Sequence, residues 1–371
     1  MIQHFGLVRQ YANLKDELLD ASDRAMREGC LVDGPYVDQF EHWLSGRTDV
    51  QYAVTCHSGT QALEIIARHK CEVHRQINES LRPGFYSKPT VIMPNLTYPA
   101  TMNALINAGL NVELSDTDRN GIMRQAEWRD RRSTGEYASL FACVVGLYGA
   151  RPSNNDKFDI GTFVDGAQHW LVADGHIGSG MAISFDPTKN LPSSGNGGAL
   201  VTRSEDLYNF AKNYKNNGKL SNHGTTGSNS KMSEQDCAQI LVRTKYINEW
   251  QRRRRDIAKH WCRELAPLEY RTPGLRCLSQ GVEHHAHQKF VIYTEDRVAL
   301  GAYLLGNGIE CKIHYPYTLG ELPVAKDFRK PDMISTSVAL SRGVLSLPIY
   351  PELTDAEVEY IGKKILAYYD K

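Results

Sequence analysis

The stretch AISFDPTKNLPSSGNGGALVT, residues 182–202, decides the fold. AISFD (182–186) and GALVT (198–202) are short apolar runs of strand length, and the loop between them is rich in Gly, Pro and Ser. Lys189 sits in that loop, just past the first run. Working outward toward the N-terminus, the same kind of run recurs at TFVDGAQ (162–168), LFACVVG (140–146), VELSD (112–116), VIMP (91–94) and Ala53–Thr55. Helical patterns interleave with them at 100–108 and 62–67, and apolar residues at three-to-four spacing predict a helix over 11–28, broken by Gly34 and Pro35. Strands alternating with helices predict an α/β protein, with a mostly parallel sheet flanked by helices on both faces.

Toward the C-terminus, residues 233–265 contain no Gly or Pro and predict one long helix. Beyond it, KFVIYT (289–294), a helix over 296–305, ECKIHY (310–315), VLSLPI (344–349) and a last helix form a smaller α/β unit. Thr354 and Glu357 have the spacing of a capping box for that last helix. The expected organisation is a large domain over 1–232 and a long helix with a smaller domain over 233–371.

Composition narrows the function classes. Among 371 residues, Lys+Arg and Asp+Glu are each 43, so the basic excess needed to displace phosphate counterions from nucleic acid is missing. With 41% hydrophobic and 23% charged residues, the chain has the balance of a globular protein rather than a disordered one. Its eight cysteines include no C-x-x-C pair, which argues against a zinc or redox site and for free thiols in a reducing compartment. No run approaches the length of a membrane span and no leader pattern opens the chain, so a cytoplasmic protein is expected.

Three groups of residues stand where chemistry is built. Ser58-Gly59-Thr60 joins a strand to a helix; hydroxyls and N–H groups at a helix N-terminus make an anion site, although a plain N-cap explains them as well. Asp165 ends a strand, the edge at which open parallel sheets bind ligands. It can pair with a cationic ring nitrogen or serve as a cap. Lys189 follows a strand and can form a Schiff base if its neighbours lower its pKa, or be an exposed loop lysine. Together with the aromatic Tyr98, these supply what pyridoxal phosphate needs: an anion cradle, a ring stack, an anionic partner for the pyridine nitrogen, and an amine for the aldehyde.

The chain resembles the DegT/DnrJ/EryC1/StrS family of sugar aminotransferases, which are fold type I pyridoxal phosphate enzymes. The resemblance runs from about residue 11 to the C-terminus. It rests on GPYVDQFE (34–41), SGTQAL (58–63), TYPATMNA (97–104), VDGAQ (164–168), SFDPTKNLPSSGNGGALVT (184–202), GSNSKMSE (227–234), GIECKIHYP (308–316) and LSLPIYPELT (345–354). It implies that Lys189 is the Schiff-base lysine and proton carrier, and that Asp165 keeps the pyridine nitrogen protonated. Gln168 would bond the cofactor's phenolic oxygen, and Tyr98 would stack on its ring. Ser58, Gly59, Thr60 and Ser184 would hold its phosphate, joined by Asn229 from the second subunit of a homodimer. His314 and Tyr315 match a substrate-side motif. The implied activity moves an amino group from an amino acid, by resemblance glutamate, to a nucleotide-linked keto sugar.

The chain departs from the family in three ways. The family often has His before Leu-Tyr-Gly, where this chain has Gly146. Thr318-Leu319-Gly320 stands where a second His is usual, and an insertion at 74–89 replaces a shorter turn. These changes bear on the substrate. A sugar dehydratase relative would lack Lys189, and a regulatory or binding protein would have no need of the set Asp165, Gln168 and Lys189. Arg252 to Arg255 point around a helix axis and read as a solvated face. His284, His285 and His287 have no acidic or Cys partner at suitable spacing, so no metal site is expected.

Overall fold

The computed structural model describes residues 1–81, 83–84, 87–124, 128, 140–152, 161–278, 284–330 and 335–370. Two helices, α1 (Leu7–Arg27) and α2 (Pro35–Thr48), lead into β1 (Tyr52–Cys56) and α3 (Gly59–Leu81). Then come β2 (Thr90–Pro94), α4 (Pro99–Asn107), β3 (Asn111–Ser115), β4 (Leu140–Val145), β5 (Thr162–Asp165), β6 (Met181–Ser184), β7 (Gly198–Thr202) and α5 (Glu205–Tyr214). The seven strands form one sheet in the order β1-β7-β6-β5-β4-β2-β3. All run parallel except β7, which is antiparallel to both neighbours.

Both faces of this sheet are covered, which is why its strands read as continuous apolar runs rather than alternating ones. Ile92, Val164, Ile183 and Val201 face a core shared with Phe40 and Leu44 of α2 and Leu14 and Leu18 of α1. Their neighbours Val91, Phe163, Ala182 and Leu200 face the opposite core, with Leu63 and Ile66 of α3 and Leu105 of α4. The two-residue period of a strand divides these side chains between the layers.

The Gly34-Pro35 break starts a helix as well as ending one. Pro35 is pre-set for a first helical turn, and the buried Glu234 carboxylate accepts the N–H groups of Gly34 (2.7 Å), Tyr36 (2.7 Å) and Val37 (3.2 Å). Two segments two hundred residues apart in sequence are thereby joined.

Residues 233–265 are not one helix. The chain forms α6 (Glu234–Thr244) and α7 (Ile247–Arg271), with a turn at Lys245 and Tyr246. No Gly or Pro marks that turn. Its anchor is tertiary: Glu17 of α1 binds the Lys245 ammonium at 3.1 Å and the Tyr246 hydroxyl. α6 adds Cys237, Ala238 and Ile240 to the core under α1 and α2, while α7 leaves for a second core.

That second core surrounds a small antiparallel sheet of order β10-β9-β8, from β8 (Arg276–Cys277), β9 (Phe290–Tyr293) and β10 (Val344–Leu347). Around it lie α8 (Arg297–Gly306), α9 (Ser335–Gly343) and α10 (Asp355–Tyr369). Trp261 of α7 is fully buried, and its indole N–H bonds the Val358 carbonyl at 3.0 Å, pinning α10. Thr354 and Glu357 form the expected capping box. ECKIHY (310–315) is not a strand of this sheet. Its backbone pairs with β10 at one bridge, Lys312 with Ser346, and then turns toward the large sheet. The arginine run is also divided. Arg252 and Arg255 are exposed, whereas Arg254 is buried and donates to the carbonyls of Ile349 (2.7 Å) and His287 (3.2 Å).

Candidate active site

The C-terminal ends of β1, β2, β4, β5 and β6 converge on one edge of the large sheet, where they border a cleft of about 530 Å³. Of the residues singled out from sequence, Ser58, Gly59, Thr60, Tyr98, Asp165, Gln168, Ser184, Lys189, His314 and Tyr315 all line it.

On the floor, Asp165 closes β5. The Thr101 hydroxyl donates to its Oδ2 at 2.7 Å and the Ala167 N–H to its Oδ1 at 3.1 Å, so the carboxylate is fixed in orientation. Gln168 is held from both ends. Its Oε1 accepts the Tyr148 N–H, and its Nε2 donates to the Tyr315 hydroxyl at 3.4 Å. The amide therefore presents an N–H donor on the cleft side. Lys189 lies on the turn after β6, its N–H bonded to the Asp186 carbonyl at 2.9 Å. Burial pushes its ammonium below the ordinary lysine value, and Asp165 and Asp186 oppose that shift.

At one end of the cleft the Ser58–Thr60 turn opens α3. Ser58 does cap the helix, its Oγ accepting the Gln61 N–H at 3.1 Å, and its hydroxyl proton stays available. Gly198 of β7 passes directly beneath: a Cβ there would lie 2.2 Å from the Ser58 carbonyl carbon, so only glycine lets the turn and the strand approach this closely. Ser184 stands beside Gly59 and accepts the Asp186 N–H at 3.3 Å.

The opposite end is the substrate-side motif. His314 Nδ1 lies 2.8 Å from the Ser346 hydroxyl, and the His314 carbonyl accepts the Tyr148 hydroxyl. Burial, then Lys289, His4, Lys189 and Lys312, push the His314 pKa down to about 2, so the ring is neutral. The rings of Tyr98 and Tyr315 are 5.7 Å apart. Asn229 does not line the cleft of its own chain. It is exposed, bridged to Asn216, in the loop that follows α5.

Sequence reasoning missed four residues here. Tyr148 is buried and ties Gln168 to His314. Phe5, Lys289 and Lys312 line the cleft from three separate segments. A lysine at the head of the buried run KFVIY was the one available signal. The departure at Gly146 also has a structural counterpart. His169 packs against it so closely that a Cβ on residue 146 would fall 1.9 Å from the His169 Nδ1. Of the three-histidine cluster, His285 Nδ1 accepts the His287 N–H at 2.9 Å and His284 lies 3.5 Å from Asp174.

The model of the DegT/DnrJ/EryC1/StrS aminotransferase family matches residues 12–127 and 165–366. The chain belongs to that family. Among the relatives of this aminotransferase is the pleiotropic regulatory protein of Geobacillus stearothermophilus, 25% identical, the match covering 98% of this chain and 97% of that one. The UDP-2-acetamido-2-deoxy-3-oxo-D-glucuronate aminotransferase of Pseudomonas aeruginosa is 24% identical, covering 97% and 98%. The solved structure of NtdA from Bacillus subtilis with bound cofactor PMP superposes with a TM-score of 0.81 at 23% identity, covering 97% and 82%.

Pyridoxal phosphate is the cofactor of this aminotransferase. The cleft fits it. The Ser58–Thr60 turn offers donors at the N-terminus of a long helix, above a strand stripped to glycine at Gly198. A fixed carboxylate, an amide N–H and a lysine amine stand along the same floor. Among the described residues, no helix is long and apolar enough to cross a membrane.

Proposed function

We propose that this aminotransferase moves an amino group from an amino acid, glutamate by family resemblance, to a nucleotide-linked keto sugar in the cytoplasm. The observation that carries the reading is the convergence of Lys189, Asp165, Gln168 and the Ser58–Thr60 turn on one cleft. When bound, pyridoxal phosphate supplies a carbonyl that exchanges for an amine and a ring that stores the electron pair left by a departing proton. Asp165, locked by Thr101 and Ala167, would pair with the ring nitrogen and hold a proton on it. Gln168 would offer its Nε2 hydrogen to the ring oxygen. Ser58, Gly59, Thr60 and Ser184 would hold the phosphate, and Tyr98 would stack on the ring. Lys189 would be the residue that accepts and returns a proton. Burial favours its neutral amine, the form that can accept a proton. His314 and Tyr315 contact the substrate.

The proposed working unit is a homodimer in which Asn229 reaches the partner's phosphate site. The division into a cofactor-binding part, 1–232, and a C-terminal part, 233–371, belongs to the same proposal. The test is spectroscopic. The purified protein takes up pyridoxal phosphate and shows a visible band that borohydride removes, and Lys189→Ala loses both the band and turnover. A protein that stays colourless with added cofactor is a regulator or binder, and a Lys189→Ala variant with full band and turnover moves the role to another lysine.

A further inference from the structure

Lys289 has no role in the chemistry described so far. It is only 5% exposed, yet it lines the cleft. Its ammonium has no hydrogen-bond or ion-pair partner among the described residues. It lies over the ring of Phe5, with Nζ 4.8 Å from the centroid. The Lys312 ammonium approaches the same ring at 5.3 Å. An aromatic face eases the burial of a cation but brings no negative charge. Glu310 lies 3.5 Å from Lys312, and its other oxygen accepts the His4 N–H at 2.9 Å, so this one carboxylate is shared. Burial, Lys189, Arg254 and Lys312 all push the Lys289 ammonium well below its ordinary value, and only Asp186 opposes them. A buried lysine kept without a counter-charge is costly, and its surroundings become favourable once an anion arrives.

We propose that Lys289 and Lys312, bracketing Phe5, form an anion subsite that takes a carboxylate or phosphate group carried by a molecule exchanging its amino group here. The inference rests on the aminotransferase reading and adds to it which residues of this chain receive the acidic group of a substrate. The subsite is separate from the cofactor-phosphate turn at Ser58–Thr60, because it is built from the N-terminal segment, the head of β9 and the segment that carries His314. That is the side of the cleft on which the substrate motif stands. A desolvated, charge-assisted contact is worth a factor of about ten to a hundred in binding.

The test uses the holoenzyme with Lys289→Met and Lys312→Met, which keep the apolar stem and remove the charge. Calorimetry with glucose, glucose 6-phosphate and glucuronate reads a group carried by the sugar. The cofactor band, followed on mixing with glutamate, reads a group carried by the donor. If the sugar is the source, the parent binds an acidic probe at least about tenfold more tightly than glucose and Lys289→Met loses that preference. If the donor is the source, the sugar probes are unaffected and the variant needs about ten to a hundred times more glutamate. Lys312→Met, at a more exposed position, shows the same pattern several-fold weaker, and decides the matter alone if Lys289→Met does not fold. The proposal is overturned if both variants match the parent with every probe and with glutamate, or if Lys289→Met loses the cofactor band itself. Lys189→Ala separates the two readings. A band retained in that variant removes the aminotransferase assignment, while a band lost there with unchanged lysine variants removes only the subsite.

Discussion

Along the floor of the cleft, Asp165, Lys189, Ser58 and Ser184 each stand at a strand end or within a few residues of one. Across from them, Phe5, Lys289, Lys312 and His314 come from segments that share no strand of the large sheet and meet only through tertiary contacts. The floor inherits its geometry from the sheet: β5 and β6 pair in parallel, and Cys56 of β1 and Ser184 of β6 both stand opposite Gly198 of β7, so these strands end near one level. The far side depends on single connections, chiefly the Tyr148 hydroxyl on the His314 carbonyl and the pairing of Ile2 with Ile309. On the proposed reading, the difference teaches that the chemistry of the site would be tied to the sheet and its choice of substrate to contacts that can change one at a time.

The floor should be the more sensitive to a single charge. Asp165→Asn keeps shape and size, so cofactor uptake is expected to persist while kcat falls about 100-fold, the scale of removing an electrostatic stabiliser. Near-normal kcat in that variant would break the comparison by making Asp165 a structural residue. A smaller effect concerns the loop after α5, which belongs to neither side in its own chain. Lys189→Ala and Asn229→Ala subunits, each defective alone, are allowed to exchange. If each loop completes the partner's site, about a quarter of the sites carry neither lesion after random one-to-one exchange, and activity returns in that measure. No return, with exchange demonstrated by mass, assigns Asn229 to its own chain. The smallest effect sharpens the contrast. Tyr148→Phe deletes one hydroxyl and leaves the N–H bond to Gln168, so KM for the sugar is expected to rise about fivefold, with the visible band unmoved. A shift of the band instead would tie Tyr148 to the floor.

The same contrast explains what could be read in the sequence. Ser58-Gly59-Thr60, Asp165 and Lys189 were legible because each lies in a short contiguous motif beside a strand, and local chain geometry carries the side chain to the edge. Phe5 and Lys312 were not, since nothing local says that residue 5 and residue 312 meet. The turn between α6 and α7 was hidden for a related reason: Lys245 and Tyr246 are ordinary helix residues, and Glu17, far away in sequence, holds them out of line. ECKIHY has the composition of a strand, but Tyr148 draws His314 toward the cleft after one bridge to β10. Arg254 looked solvated because a helix hides one side of any charged run, and the carbonyls of His287 and Ile349 that receive it lie on other elements.

Gly146 and His169 compete for space. A side chain at 146 and the imidazole at 169 claim the same volume, so residue 146 cannot carry a side chain while His169 stays where it is. The two positions therefore act as one steric unit: a larger residue at 146 needs a smaller or displaced one at 169.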